Sequence, residues 1–124
     1  MTFFEEELKK IVDNSTIIKN PKFVGDNCMF KVSDDVNGKL YFVTNGYSGH
    51  YSGLQVDLIN KKEGLVDNLR IYIADVIGVK KGRDGRDLSP YIWSSDMDWY
   101  MYHPTDREYF NLADAIDNYL SYYV

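Results

Sequence analysis

Cysteine is nearly absent from this 124-residue chain: Cys28 stands alone, so no internal disulfide can form. Histidine is scarce as well. His50 and His103 lie far apart, neither has a second histidine three or four positions away, and Cys28 has no C-x-x-C partner, so no zinc-site spacing is present. Long apolar runs are missing too. The longest, Ile71 to Val79, is interrupted by Asp75 and falls well short of the ~18 residues of a bilayer span. No basic stretch leads into an apolar run and a small-residue cleavage site after Met1. These absences lead us to expect a reduced, cytoplasmic protein with no membrane segment.

Positive charge is in deficit. Fourteen Lys and Arg stand against nineteen Asp and Glu, for a net charge of −5, which on average repels a phosphate backbone and disfavours nucleic acid as a partner. The charge is also too dilute for an acidic mimic of DNA, which carries one charge per ~1.7 Å of axis. Tyrosine, in contrast, is abundant: eleven Tyr accompany six Phe and two Trp. Its large ring with a hydroxyl that can stay wet suits a binding face. A chain of this length can bury roughly two-thirds of its unfolded surface, enough for one domain over residues 1–124 without staples.

Thr2 with Glu5 forms a T-x-x-E capping box, and Phe4, Leu8, Ile11 and Val12 follow at helical spacing, so residues 2 to about 13 read as an amphipathic helix ended by Asn14 and Ser15. Pro21 and Gly25 punctuate a stretch read as irregular. Cys28 to Val32 reads as a strand, with a turn through Asp34, Asp35, Asn37 and Gly38, and Lys39 to Thr44 as the next. On the latter, Leu40 and Phe42 share one face and Tyr41 and Val43 the other, indicating burial on both sides or a tyrosine-bearing second face. Gly53 to Asn60 alternates, turns at Lys61-Lys62-Glu63-Gly64, and pairs with a strand from about Val66 to Val76 that points Leu69, Ile71 and Ile73 inward. Val79 to Leu88 reads as an exposed mobile loop. Pro90 to Ser94 and Trp99 to His103 suggest a second hairpin, and Thr105 with Glu108 caps a closing helix carrying Tyr109, Leu112, Ala113, Ile116, Leu120 and Tyr123. The expected fold is α+β: one domain, an antiparallel sheet of about five or six strands, and N- and C-terminal helices packed on it. Leu8, Ile11, Phe42, Val56, Leu58, Leu69, Ile71, Ile73, Leu112 and Ile116 are the expected core.

Chemistry-bearing patterns are weak. Gly46-Tyr47-Ser48-Gly49-His50 lacks the second glycine of a nucleophile elbow and precedes a strand, and the paired aspartates sit where turns favour Asp for its bond to the local backbone. No catalytic, cofactor or metal residues are assigned. Tyr91, Trp93, Trp99, Tyr100 and Tyr102 form the densest aromatic set and the candidate partner surface. Lys80, Lys81, Arg83 and Arg86, on glycine-rich backbone, are the candidate anion-binding loop. The segments FFEE, NPKFVG, YFVTNG, LINKKEGLVDNL, SPYIW, DWYMYHPT and the closing NYL together resemble a family of small uncharacterised proteins encoded on conjugative transposons of Gram-positive gut bacteria. That resemblance implies a cytoplasmic accessory of a mobile genetic element and assigns no activity, cofactor or catalytic residue. The readings that follow are a non-enzymatic adaptor that binds another protein or itself through a Tyr/Trp-rich surface, and, as the alternative, a single-stranded nucleic-acid-binding protein acting in element transfer.

The segment from Val79 to Leu88 is glycine-broken and basic and reads as exposed, so trypsin should cut the native protein there first, at Lys80, Lys81, Arg83 or Arg86. Mass spectrometry of an early digest checks this, and cleavage elsewhere while these four sites stay intact contradicts it.

Overall fold

The computed structural model describes residues 3–44, 50–81, 87–88, 92–93 and 104–124. Helix α1, Phe3–Val12, presents Glu7, Leu8, Ile11 and Val12 to the interior, and its last turn closes with Asn14 N–H donating to Ile11 C=O. Thr2, its expected cap, lies outside the described residues. Five strands follow in one antiparallel meander: β1 (Lys19–Val24), β2 (Asn27–Lys31), β3 (Val36–Val43), β5 (Gly53–Asn60) and β6 (Gly64–Tyr72), hydrogen-bonded in that order. Between β3 and β5 sits the two-residue β4 (His50–Tyr51). Helix α3, Asp106–Leu120, opens with the expected capping box, in which Thr105 Oγ1 accepts from Glu108 N–H and the Glu108 carboxylate accepts from Thr105 N–H. A single 3₁₀ turn, Ser121–Tyr123, ends the chain. The antiparallel sheet with a helix from each end of the sequence is the α+β domain expected from the pattern.

The core lies between one face of this sheet and the two helices. Cys28, Leu40, Val56 and Leu69 stand directly opposite one another across β2, β3, β5 and β6, and the first three are fully buried. Leu8 and Ile11 from α1 and Leu112, Ile116 and Leu120 from α3 meet them with no exposed surface. Burial pushes the Cys28 thiol up to about 11, so it stays protonated and unreactive at neutral pH. Phe42 stacks on Tyr51 with ring centroids 3.7 Å apart, and Phe4 closes over both.

Several local expectations give way to the tertiary arrangement. The stretch around Pro21 is an edge strand, β1: proline lacks an N–H, which an edge tolerates, and a bulge with Asn20 at φ 52° falls beside it. Gly38 is inside β3 rather than in the turn, which lies between Lys31 and Val36. It stands opposite Phe30, and a Cβ there would come within 2.2 Å of the tip of the Phe30 ring, so the glycine makes room for that core aromatic. The strand expected to reach Val76 stops at Tyr72, whose partner Gly53 begins β5; one further bond, from Ile73 N–H to Ser52 C=O at 2.9 Å, closes the ladder before the chain turns into a helix. Residues Ile73–Ile77 form a short helix, α2, which still buries Ile73 against α3. Leu69 and Ile71, expected to be core, are only half-buried because β6 is an edge strand. Lys80–Lys81 (β7) pairs with Asp87–Leu88 (β8), so the ends of the expected loop form a ladder. Ile92–Trp93 (β9) pairs with β4, a long-range contact; the second half of the hairpin expected for that segment, Trp99 to His103, lies outside the described residues.

Leu40→Ala should lower stability by about 2–5 kcal/mol through lost transfer and a residual cavity, and Ile71→Ala, half-exposed, by less. Gly38→Ala should lose about 1–3 kcal/mol by overpacking against Phe30. Urea denaturation measures all three, and a Gly38→Ala protein as stable as the parent would mean that the ring moves aside freely.

Candidate binding surface

In an antiparallel ladder, directly opposed residues point to the same side and alternate residues to opposite sides. The face of the sheet turned away from the helices therefore reads as rows. One row is Lys19, Lys31, Asn37, Ile59 and Leu65; the next is Lys22, Met29, Lys39, Asp57 and Asn68. A third is Val24, Asn27, Tyr41, Gln55 and Arg70, and the last is Val43, Gly53 and Tyr72. Neighbouring rows are about 7 Å apart and neighbouring strands about 4.8 Å.

At its centre this face holds a polar chain. The Tyr41 hydroxyl donates to Asp57 Oδ2 at 3.0 Å, Gln55 Nε2 to Asp57 Oδ1 at 3.2 Å, and Arg70 Nε to Gln55 Oε1 at 2.9 Å. Gln55 is buried although it points away from the core. Burial, then the bond to Asp57, raises the Tyr41 phenol above its usual value, so it serves as a neutral donor. The Lys39 ammonium lies 5.0 Å over the same ring. Around this centre Met29, Ile59, Leu65 and Tyr72 are exposed, Leu65 by 63%. A cleft of about 220 Å³, lined by Phe4, Asp26, Asn27, Tyr41, Phe42 and Thr44, opens at the Tyr41 end.

The other concentration of polar groups is internal. Glu7, 3% exposed, accepts from the Tyr109 hydroxyl at 2.7 and 2.9 Å and from the Tyr51 hydroxyl at 3.1 Å, and Lys10 Nζ lies 3.2 Å from its second oxygen. Burial first, then Glu7, pushes both phenols far up. Asp117, also buried on α3, accepts from Ser15 Oγ at 2.5 Å and from Thr16 N–H at 2.8 Å, holding the α1–β1 connection in place. On β6, the Tyr123 hydroxyl donates to Asp67, which holds that carboxyl below its usual value and ties the C-terminal turn to the sheet. Each of these carboxylates joins elements of the fold, and its donors come from neighbouring protein groups.

Of the residues singled out by sequence, Trp93 lies in β9 with its backbone opposite His50, and Lys80 and Lys81 form β7, Lys81 being exposed. Tyr91, Trp99, Tyr100, Tyr102, Arg83 and Arg86 lie outside the described residues. The second face of β3, with Tyr41, was anticipated by alternation. Lys19, Lys22 and Lys31 were missed, because only the strand register places them beside Lys39. No family model, curated protein or solved structure matches this chain.

Tyr51 and Tyr109 have folded pKa values above the ordinary 10.0, so they stay protonated in the fold while the unfolded chain ionises. Their contribution is complete below pH 10 and is lost as pH rises beyond it. Thermal melts from neutral pH to about pH 11 should show this fall. Tyr109→Phe should weaken the alkaline fall and lower stability at neutral pH by about 1.5–3 kcal/mol, the worth of a hydrogen bond to a charged group. A flat profile above pH 10 contradicts the assignment.

Proposed function

We propose that this protein is a non-enzymatic accessory or adaptor that docks another protein on the open face of its sheet. One observation carries the reading: both terminal helices cover the same side of the sheet, and the opposite side exposes Met29, Ile59, Leu65 and Tyr72 around an ordered polar centre. Isolated exposed apolar residues are ordinary, but several on one strand-paired surface, set around polar groups that already bond to one another, offer a partner separate apolar anchors. The Tyr41–Asp57–Gln55–Arg70 chain holds its side chains in fixed positions, which reduces the ordering entropy of binding. The resemblance to proteins of conjugative elements supports a partner encoded by the same element. The aromatic segment from Tyr91 to Tyr102 is the rival interface, and the test separates the two.

Affinity capture from cells carrying such an element, with the tagged chain as bait, should recover a specific protein. Met29→Ser and Tyr72→Ser should each reduce its recovery several-fold, as interface anchors do, while leaving the melting temperature nearly unchanged. Full recovery with both variants, together with loss on Trp99→Ser in a folded protein, would move the interface to the aromatic segment and overturn this proposal.

A further inference from the structure

The open face is cationic in an acidic protein. Among the described residues Lys19, Lys22, Lys31, Lys39 and Arg70 occupy it against the single carboxylate of Asp57, although the whole chain has a net charge of −5. Both Asp57 oxygens already accept hydrogen bonds, from Tyr41 and from Gln55. Lys31 has only the fully exposed Asp34 at 3.9 Å, and neither Lys19 nor Lys22 has an ion-pair partner among the described residues. Lys19 stands directly opposite Lys31, and Lys22 and Lys39 flank Met29 on either side. Like charges set opposite one another destabilise a sheet, so a partner that supplies the missing carboxylates relieves a repulsion built into the free protein.

We infer that the partner presents an acidic, amphipathic segment, whose carboxylates meet this lysine quartet while its apolar side chains cover Met29, Ile59 and Leu65. The inference rests on the docking reading above and names the chemistry of the partner. Two features favour a protein over a single-stranded nucleic acid. The exposed anchors are mainly aliphatic, whereas bases need open rings on which to stack. Of the two tyrosines on this face, Tyr41 has its ring under the Lys39 ammonium and its hydroxyl tied to Asp57, which leaves Tyr72 as the one exposed ring among the described residues of the face. Charge complementarity of this kind also steers encounter and makes association sensitive to salt.

The test is a titration of the full-length, isotope-labelled protein with two probes, a synthetic peptide alternating Glu with Leu and an oligothymidylate of equal charge, followed by amide chemical shifts at low and at physiological salt. The peptide should move the amides of Lys22, Met29, Lys31 and Lys39, with affinity falling as salt rises. Lys22→Glu and Lys39→Glu should each weaken it by more than about tenfold, and the milder Lys22→Gln by less, in proteins whose spectra remain dispersed. Tighter binding of the oligothymidylate overturns the inference in favour of nucleic acid. No response to either probe overturns it outright. If the peptide fails while Met29→Ser still releases a captured protein, the docking reading stands and its acidic partner falls; if both fail, both fall.

Discussion

The buried carboxylate of Glu7 is the contact on which the arrangement of this fold turns. A carboxylate taken out of water is strongly unfavourable unless donors surround it, and here they come from Tyr51 on β4, Tyr109 on α3 and Lys10 one turn along its own helix. The two tyrosines belong to parts of the chain far apart in sequence. Satisfying one charge therefore fixes the N-terminal helix, the C-terminal helix and the segment after β3 relative to one another. The Tyr51 ring completes the joint by stacking on Phe42, which carries the constraint into the sheet.

That joint gathers both terminal helices on one side of the sheet. Helices α1, α2 and α3 contain Glu5, Glu6, Glu7, Asp75, Asp106, Glu108, Asp114 and Asp117, eight acidic residues, against Lys9, Lys10 and Arg107. The opposite sheet face carries the lysines. A net charge is an average over surfaces that a partner meets one at a time, so an acidic protein can offer a cationic site. The same average is what disfavours nucleic acid when only the net charge is considered.

The strands are also held apart from unwanted pairing in different ways at the two edges. On β1, Pro21, the bulge at Asn20 and the exposed Lys19 and Lys22 blunt the edge. On β6, the bulge beside Ile59 and the tie from Tyr123 to Asp67 bring the C-terminal turn against the strand.

Features governed by near neighbours were legible from the residues. The capping box at Thr105, the helical spacing of both terminal helices, the Gly53–Asn60 alternation with its turn, and the second face of β3 depend on contacts within a few positions. The α+β architecture follows from them, since two one-sided helices and a one-sided sheet have one way to bury their apolar surfaces together. The tertiary structure decided what depends on register and on distant partners. It made Pro21 an edge-strand residue, emptied position 38 for the Phe30 ring, ended β6 where β5 begins, and paired Ile92–Trp93 with His50–Tyr51. It also set four lysines from three strands side by side. Periodicity specifies which side of its own strand a residue occupies, but the residue opposite it is chosen by hydrogen-bond pairing across the whole sheet, and that pairing is what brings these lysines together.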